Sequence, residues 1–250
     1  MGTWRENCIE VNGVRIYQEQ HGTGEPLICL HNFSSNSRSR FTPLLPILTG
    51  RYTCYLVDLR GHGRSDNPTR EWTHELAAQD VIGLCEAMGI ARARFLAVSS
   101  GAMAMLRVAR YAPNLVAAMV LDSTTCRIPD AARALYKDPE TLSSKLKHYY
   151  AGANEWYGAG YGPELARVFY DFRLPECDIN VPIGEHAAIG CATLLIHGDR
   201  DDFFPVDIPI ALSQTIPNSE LMIVPDTGHI VMEFFPALVA RHALEFFVRH

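Results

Sequence analysis

The sequence predicts an α/β fold in which a mostly parallel central sheet is flanked by helices, with a short helical cap inserted after the sixth strand. Short apolar runs bounded by turn residues alternate with segments of helical periodicity, which is typical of a parallel sheet covered by helices. The later apolar runs also end in, or are directly followed by, a polar residue or a glycine. Because ligands bind beyond the carboxyl ends of parallel strands, we expect a functional site at that edge of the sheet.

An antiparallel pair of strands is expected at the start of the sheet. In the segment CIEVNGVRIYQEQ, Asn12 and Gly13 form a strong hairpin turn because both residues tolerate positive φ. Apolar runs predict the remaining strands at 27–31, 53–58, 93–98, 117–122, 192–198 and 220–225. Helical periodicity predicts helices at 41–49, 74–88, 100–111, 207–216 and 231–248.

One region departs from this alternation. Residues 127–190 contain no convincing core strand, only two helical patterns, at 129–150 and 162–172, around a segment rich in glycine and tyrosine. A long segment of this kind between two core strands is best interpreted as an excursion packed over the sheet edge. The predicted division is therefore a core of 1–126 and 191–250 with a helical cap at 127–190.

Composition excludes several classes of partner. The chain has 250 residues, of which 48% are hydrophobic and 20% charged, as in ordinary soluble globular proteins. Its net charge of −6 offers no basic surface for nucleic acid or an anionic membrane. The start, MGTWRENCIEVNG, lacks the apolar stretch of a secretory signal, and no apolar run reaches transmembrane length. We therefore expect a cytoplasmic protein.

The cysteines predict neither a disulfide framework nor a metal site. Seven are present, an odd number, scattered along the chain and never in C-x-x-C spacing. They are expected to be small buried hydrophobic residues in a reducing compartment.

The segment FLAVSSGAM, residues 95–103, predicts a sharp turn from a buried strand into a helix. Such a turn projects its central side chain above the sheet, and small residues two positions before and after it relieve crowding. Ser99 as the centre has Ala97 and Gly101 at those positions, whereas Ser100 as the centre has Val98. Ser99 is therefore the better candidate nucleophile, and Ser100 is expected to offer a backbone N–H at the helix start.

A serine nucleophile needs a base and an orienting acid, and two downstream loops provide candidates. HGDRDDFFP follows a buried strand and presents Asp199, Asp201 and Asp202 beyond the sheet edge. PDTGHIVM follows the last strand and presents His229. Asp122, at the end of another core strand, is a further candidate for the acid.

The chain is identified as resembling the α/β-hydrolase superfamily, in its serine-nucleophile, esterase-like branch. LICLHNFSSNS resembles the segment that carries one oxyanion donor, VDLRGHGRSDNP the turn after the fourth strand, and AVSSG, HGDRDDFFP and GH the nucleophile, acid and histidine loops. The resemblance implies an α/β-hydrolase fold with Ser99 as nucleophile, Asp201 as acid and His229 as base. It also implies that the N–H groups of Phe33 and Ser100 bind the oxyanion.

The sequence departs from this pattern at two positions. Ala97 stands where the family usually has the first glycine of G-x-S-x-G, and Asn32 stands where a glycine commonly follows the histidine. Asparagine is among the few non-glycine residues that accept positive φ, so we expect Asn32 to adopt it.

The resemblance implies hydrolysis of a small to medium carboxylic ester, largely apolar or aromatic, without a metal or organic cofactor. The expected partner is this small-molecule substrate, and no oligomeric state is predicted. Alternatives with the same three residues are a lactonase, a carbon–carbon bond hydrolase, a perhydrolase or a hydroxynitrile lyase, or a small-molecule receptor of the same fold. The residues predicted to line the substrate pocket are Asn32, Ser34, Trp156, Tyr157, Phe203 and Ile230.

Overall fold

An eight-stranded sheet organises the chain in the order β1-β2-β4-β3-β5-β6-β7-β8. A computed structural model describes residues 4–141, 144–157 and 160–250; the side chains of residues 145, 146 and 154–157 are outside the described part. The strands are β1 Arg5–Val11, β2 Val14–His21, β3 Glu25–Leu30, β4 Tyr52–Val57, β5 Ala93–Val98, β6 Val116–Asp122, β7 Ala192–Gly198 and β8 Ser219–Val224. The α/β-hydrolase fold predicted from the sequence is confirmed.

The first two strands are the antiparallel part of this sheet. Strands β1 and β2 pair from Arg5 opposite Gln20 to Val11 opposite Val14, and β2 then pairs antiparallel with β4. Asn12 and Gly13 between them have φ of 50° and 75°, as the predicted hairpin turn requires. The other neighbouring pairs are parallel, so the carboxyl ends of β3 and β5–β8 meet at one edge.

Helices cover both faces of the sheet. They are α1 Ser37–Phe41, α2 Leu45–Leu48, α3 His74–Ala87, α4 Ser100–Tyr111, α5 Asp130–Arg133, α6 Ser144–Tyr157, α7 Tyr161–Asp171, α8 Asp207–Thr215, α9 Val231–Phe234 and α10 Pro236–Arg249. One buried apolar cluster joins the sheet to α3, α4 and α8, and a second joins its other face to α1, α2 and α10. No helix within the described ranges has both the length and the apolar character that a membrane span requires.

Three of the predicted helices differ from the observed ones near a proline. The single helix expected at 41–49 starts earlier, at Ser37, and contains a 3₁₀ turn at Thr42–Leu44. The helix expected at 231–248 is divided before Pro236. The helix expected at 129–150 ends at Arg133, a 3₁₀ turn begins at Pro139, and α6 begins at Ser144. Proline lacks a backbone N–H and clashes with the preceding turn, so it is tolerated in the first turn of a helix but disrupts the interior.

The segment between β6 and β7 contains α5–α7 and is bonded to the core at several points. Asp178 accepts hydrogen bonds from His74 Nδ1 at 2.9 Å and from the backbone N–H of Glu75 at 3.0 Å. The Oγ of Ser34 lies 2.6 Å from the hydroxyl of Tyr150 on α6. The division of the chain into a core and a cap remains a prediction.

Candidate active site

Ser99 occupies the sharp turn between β5, which ends at Val98, and α4, which begins at Ser100. Its φ of 50° and ψ of −118° are rare for a residue with a side chain and indicate local backbone strain. The turn is held by a bond from Ser99 N–H to the carbonyl of Asp122 at 2.9 Å. The Oγ of Ser99 is 3.0 Å from Nε2 of His229.

A close backbone approach explains why small residues flank this turn. A Cβ atom at Gly101 would lie 2.5 Å from the carbonyl oxygen of Leu30 and 2.6 Å from that of His31. Ala97 is fully buried on β5 and pairs with Leu30 and Leu121 in the sheet. The glycine after the serine is therefore needed for contact with the end of β3, while the sheet accommodates the extra methyl of Ala97.

His229 links Ser99 to Asp201. The Oδ2 atom of Asp201 lies 2.7 Å from Nδ1 of His229, and its Oδ1 atom accepts from the backbone N–H groups of Phe203 and Phe204. Burial by itself raises the pKa of Asp201, but the bond to His229 and the nearby histidine charges outweigh it and hold that pKa below its ordinary value. The ionised carboxylate keeps the proton of neutral His229 on Nδ1, which leaves Nε2 free to accept from Ser99.

The other two acids of the HGDRDDFFP segment have different surroundings. Asp199 accepts from the backbone N–H of Thr227 at 3.3 Å, and Asp202 is exposed. His197 is buried and donates from Nε2 to the carbonyl of Phe204 at 2.6 Å. These contacts support the loop that presents Asp201.

Asp122 binds the backbone beyond the histidine. Its carboxylate accepts from the N–H groups of Val231 at 3.1 Å and Met232 at 2.8 Å, and from the hydroxyl of Ser123. Ser123 Oγ in turn accepts from the N–H of Ile230 at 3.0 Å. Burial raises the pKa of Asp122, although these donors oppose the rise. Asp122 thus fixes the start of α9, while Asp201 bonds to the histidine ring.

His31 orients the peptide that carries the N–H of Phe33. Nε2 of His31 accepts from the N–H of Leu59 at 2.9 Å, so the ring proton is on Nδ1 and donates to the carbonyl of Asn32 at 2.7 Å. In a trans peptide the N–H points opposite to the carbonyl, so the Phe33 N–H faces away from this ring. Ser100 is the first residue of α4, where a backbone N–H has no acceptor within the helix.

The backbone at Asn32 differs from the expectation. Positive φ occurs at Ser34, with a value of 58°, and not at Asn32. The amide of Asn32 instead bridges the loop to α1. Its Nδ2 donates to the carbonyl of Phe33 at 2.8 Å, and its Oδ1 accepts from Nε of Arg40 at 2.9 Å.

A cavity of about 660 Å³ opens beside Ser99 and His229. This volume is within the range of small-molecule sites. Its polar lining residues, called the polar wall below, include Asn32, Ser34, Ser35, Asn36, Ser39, Arg40 and Glu233. Its apolar lining residues, called the apolar wall, include Met103, Tyr136, Phe169, Phe172, Phe203 and Phe204.

Comparison with known proteins identifies the family. The model of the alpha/beta hydrolase family matches residues 21–242. The chain belongs to the α/β hydrolase family. The uncharacterized hydrolase YugF of Bacillus subtilis (strain 168) is 24% identical over 266 residues, covering 94% of this chain and 95% of that protein. The serine hydrolase BPHL of Mus musculus is 25% identical over 237 residues, covering 88% and 79%.

A solved structure supports the fold of this α/β hydrolase. The 2-hydroxy-6-oxo-6-phenylhexa-2,4-dienoate hydrolase BphD of Rhodococcus sp. strain RHA1 superposes with a TM-score of 0.79 at 18% identity. The match covers 99% of each chain. At this identity it is evidence for the shared architecture only.

Six residues of this α/β hydrolase were predicted to line the pocket, and the structure describes the side chains of four of them. Three line the cavity: Asn32, Ser34 and Phe203. Ile230 does not, which corrects that prediction: its side chain packs in the core, its φ is 71°, and its N–H is bonded to Ser123. The side chains of Trp156 and Tyr157 lie outside the described residues.

Sequence reasoning missed several cavity residues of this α/β hydrolase. Arg40 and Glu233 are on short helices with no motif of their own, and Tyr136, Phe169 and Phe172 come from the inserted segment. Only the aromatic content of that segment was a signal for its contribution to the cavity. In the part of the chain that the structure describes, no cluster of three or more His, Cys, Asp or Glu side chains is arranged to hold a metal ion.

Proposed function

We propose that this chain is a serine hydrolase that cleaves a carboxylic ester through an acyl-enzyme on Ser99. The observation that carries the proposal is the hydrogen-bonded chain from Ser99 Oγ to His229 Nε2 at 3.0 Å and from His229 Nδ1 to Asp201 Oδ2 at 2.7 Å. Its serine end borders the cavity, so a bound carbonyl can reach the nucleophile.

In the acylation step, Ser99 Oγ attacks the ester carbonyl while His229 Nε2 takes the hydroxyl proton. Asp201 keeps the resulting imidazolium oriented and stabilised through Nδ1. The N–H groups of Phe33 and Ser100 donate to the oxyanion that forms on the carbonyl oxygen. His229 then returns the proton to the alkoxide leaving group, and the acyl group remains on Ser99.

Deacylation uses the same groups in reverse. A water molecule loses its proton to His229 Nε2 and attacks the acyl carbonyl, and the proton then returns to Ser99 Oγ as the carboxylic acid leaves. Each proton movement is completed by a residue of this chain and by water. The proposed reaction therefore uses no metal or organic cofactor.

The apolar wall supports a small to medium, largely apolar or aromatic substrate. Phe203 lies 5.2 Å from the His229 ring and 5.5 Å from the ring of Tyr136, between ring centroids. Tyr136 continues to Phe169 at 5.2 Å, which lies 5.6 Å from Phe33. An aromatic group placed on this row of rings buries apolar surface and gains edge and face contacts.

A second candidate is hydrolysis of a carbon–carbon bond in a diketone-like substrate by the same three residues. It is included because a hydrolase of 2-hydroxy-6-oxo-6-phenylhexa-2,4-dienoate has the same architecture. Lactones and peroxide-assisted reactions are further alternatives with this site. A substrate panel of esters, lactones and diketones therefore assigns the reaction by the highest kcat/KM.

The test is turnover of 4-nitrophenyl esters of increasing acyl length by the wild type and by Ser99→Ala. We expect loss of at least about 10³-fold in kcat for this variant, because attack by its hydroxyl is the proposed first step. Ser213→Ala, on α8 and outside the cavity lining, is the matched control and should retain wild-type rates. Equal rates in Ser99→Ala and the wild type would reject the mechanism. Ligand-induced thermal stabilisation without turnover of any compound would favour a receptor.

A further inference from the structure

We propose that the polar wall of the cavity is a carboxylate subsite, in which Arg40 selects esters that carry an ionised carboxylate in addition to the ester group. The inference rests on the proposed ester hydrolysis and deepens it, because it specifies the class of substrate. In this proposal the polar wall binds the carboxylate of the substrate, and the aromatic rings of the apolar wall bind its uncharged part.

Arg40 is the cationic residue of the polar wall. Among the described residues that line the cavity, Arg40 and Glu233 are the two that bear a full side-chain charge at neutral pH. The Arg40 side chain is only 14% exposed, so most of its length is packed and its guanidinium is oriented. A guanidinium in a partly desolvated cavity is the protein group best suited to bind a carboxylate through two parallel hydrogen bonds.

Two side-chain acceptors hold the guanidinium of Arg40 at the cavity. Its Nε donates to Asn32 Oδ1 at 2.9 Å, and one terminal nitrogen donates to Glu233 Oε2 at 3.3 Å. Arginine has five N–H groups, and hydrogen bonds to other described residues use two of them. The remaining N–H groups are available to a ligand carboxylate.

Asn32 connects the guanidinium to the reacting centre. The same amide that accepts from Arg40 donates to the carbonyl of Phe33, the residue whose N–H is proposed to bind the oxyanion. The subsite and the oxyanion donors are thus parts of one hydrogen-bonded loop. A substrate that bridges them would carry its carboxylate within the same cavity as the ester.

Glu233 is a competitor for Arg40 and not a permanent partner. Its side chain is 48% exposed, and the single contact of 3.3 Å is longer than a well-formed charge-assisted bond. Exposed ion pairs of this kind are weak because water and salt screen them. A substrate carboxylate can therefore displace the glutamate or share the guanidinium with it, whereas a neutral ester has no such effect.

The proposal predicts opposite effects on substrate selectivity when the charge of Arg40 or of Glu233 is removed. A purely structural ion pair between them predicts no such difference. If Arg40 and Glu233 only held α1 against α9, removing either one would affect neutral and acidic esters alike. If Arg40 binds the substrate, Arg40→Gln should lower selectivity for acidic esters and Glu233→Gln should raise it. The ratio of kcat/KM for an acidic ester to that for its neutral counterpart separates these cases, because losses common to both esters cancel.

The experiment compares two matched substrate pairs. 4-Nitrophenyl hydrogen succinate against 4-nitrophenyl valerate places the charge on the acyl side, and 3-acetoxybenzoate against phenyl acetate places it on the alcohol side. In at least one pair we expect Arg40→Gln to lower the acidic-to-neutral ratio by about 10- to 100-fold, the worth of a charge-assisted hydrogen bond pair. Arg40→Lys should keep part of the ratio, because it keeps the charge without the planar fork.

Arg38→Gln is the matched control. Arg38 is also on α1, but its Nε donates to Glu19 at 2.7 Å, and it is not among the residues that line the cavity. Removing this charge should leave the ratio unchanged, which excludes a general electrostatic effect. The Glu233→Gln variant, expected to raise the ratio by a few fold, provides a readout even where Arg40→Gln is poorly folded.

The outcomes distinguish this inference from the proposed function. If neither member of either pair is hydrolysed by a Ser99-dependent reaction, the proposed function fails. If the neutral esters are hydrolysed but the ratio is the same in the wild type, Arg40→Gln and Glu233→Gln, the carboxylate subsite is rejected and ester hydrolysis stands.

Discussion

The substitution Gly101→Ala tests how closely the turn at Ser99 packs on the end of β3. The added Cβ would lie 2.5 Å from the Leu30 carbonyl oxygen and 2.6 Å from the His31 carbonyl oxygen. To reach an ordinary contact of 3.4 Å, the backbone at this point must retreat by about 0.9 Å. The atoms that move are backbone atoms of Leu30 and His31. These residues directly precede Asn32 and Phe33, so the loop that carries the proposed oxyanion donor, Phe33 N–H, moves with them. We call this segment the oxyanion loop.

We expect two measurable effects from this displacement. Overpacking of this kind lowers the free energy of unfolding by about 1–3 kcal/mol, partly offset by the better helix propensity of alanine. A misplacement of about 1 Å in catalytic groups lowers kcat by roughly 10²-fold. Urea unfolding followed by tryptophan fluorescence measures the first effect, and 4-nitrophenyl ester kinetics measure the second.

Gly83→Ala is the matched control for a glycine within a helix. A Cβ at Gly83 on α3 would meet Asn12 Nδ2 at 3.4 Å and Val11 Cβ at 3.5 Å, which are ordinary contacts. This variant should be more stable than the wild type by about 0.5–1 kcal/mol and equally active. If Gly101→Ala matched the wild type in both stability and kcat, the packing argument for the turn would be refuted.

Three further predictions concern the surroundings of the histidine and the oxyanion loop. Asp201→Asn should lower kcat roughly 10³- to 10⁴-fold with little change in KM, because the amide favours the wrong tautomer of His229; a loss below about tenfold in stopped-flow assays would contradict the assigned role. Asp122→Asn should lower the free energy of unfolding by about 1–3 kcal/mol in urea titrations, because an amide N–H₂ cannot accept from both backbone donors; an unchanged midpoint would argue against it. Burial lowers the pKa of His31 from 6.5 to about 4, so the unfolded chain binds a proton between these values that the folded protein does not. As the pH decreases over this range, His31 alone should lower the free energy of unfolding by about 3 kcal/mol. His31→Gln should flatten this dependence on pH. An equal slope in the variant and the wild type would count against a buried neutral histidine.

The sheet was predictable because each strand leaves a local record in the sequence. The six apolar runs predicted as strands of the parallel sheet all coincide with strands, and Asn12-Gly13 predicted the hairpin. The helices were less predictable where proline interrupts an apolar pattern, as before Pro236, because periodicity counts apolar residues and not backbone donors.

The candidate catalytic residues were predictable for a different reason. Each lies in the turn or loop that follows a predicted strand, and the carboxyl ends of these strands meet at one edge of the sheet. The structure then gave distances that sequence cannot provide: 3.0 Å from serine to histidine and 2.7 Å from histidine to aspartate.

The rest of the site depends on tertiary contacts without a local signal. Arg40 has no local signal in the sequence, and its place at the cavity depends on bonds to Asn32, 8 residues earlier, and to Glu233, 193 residues later. Ile230 was expected in the pocket, but its φ is positive, its N–H is bonded to Ser123 and its side chain packs in the core.

The most direct test of the central claim is covalent labelling by a fluorophosphonate, located by fragmentation of the labelled peptide in tandem mass spectrometry. A fluorophosphonate reacts with a serine only when a neighbouring base activates it. We predict a single adduct on Ser99, lost in Ser99→Ala and strongly slowed in His229→Ala. An adduct on the adjacent Ser100, or labelling that persists unchanged in Ser99→Ala, would contradict the account.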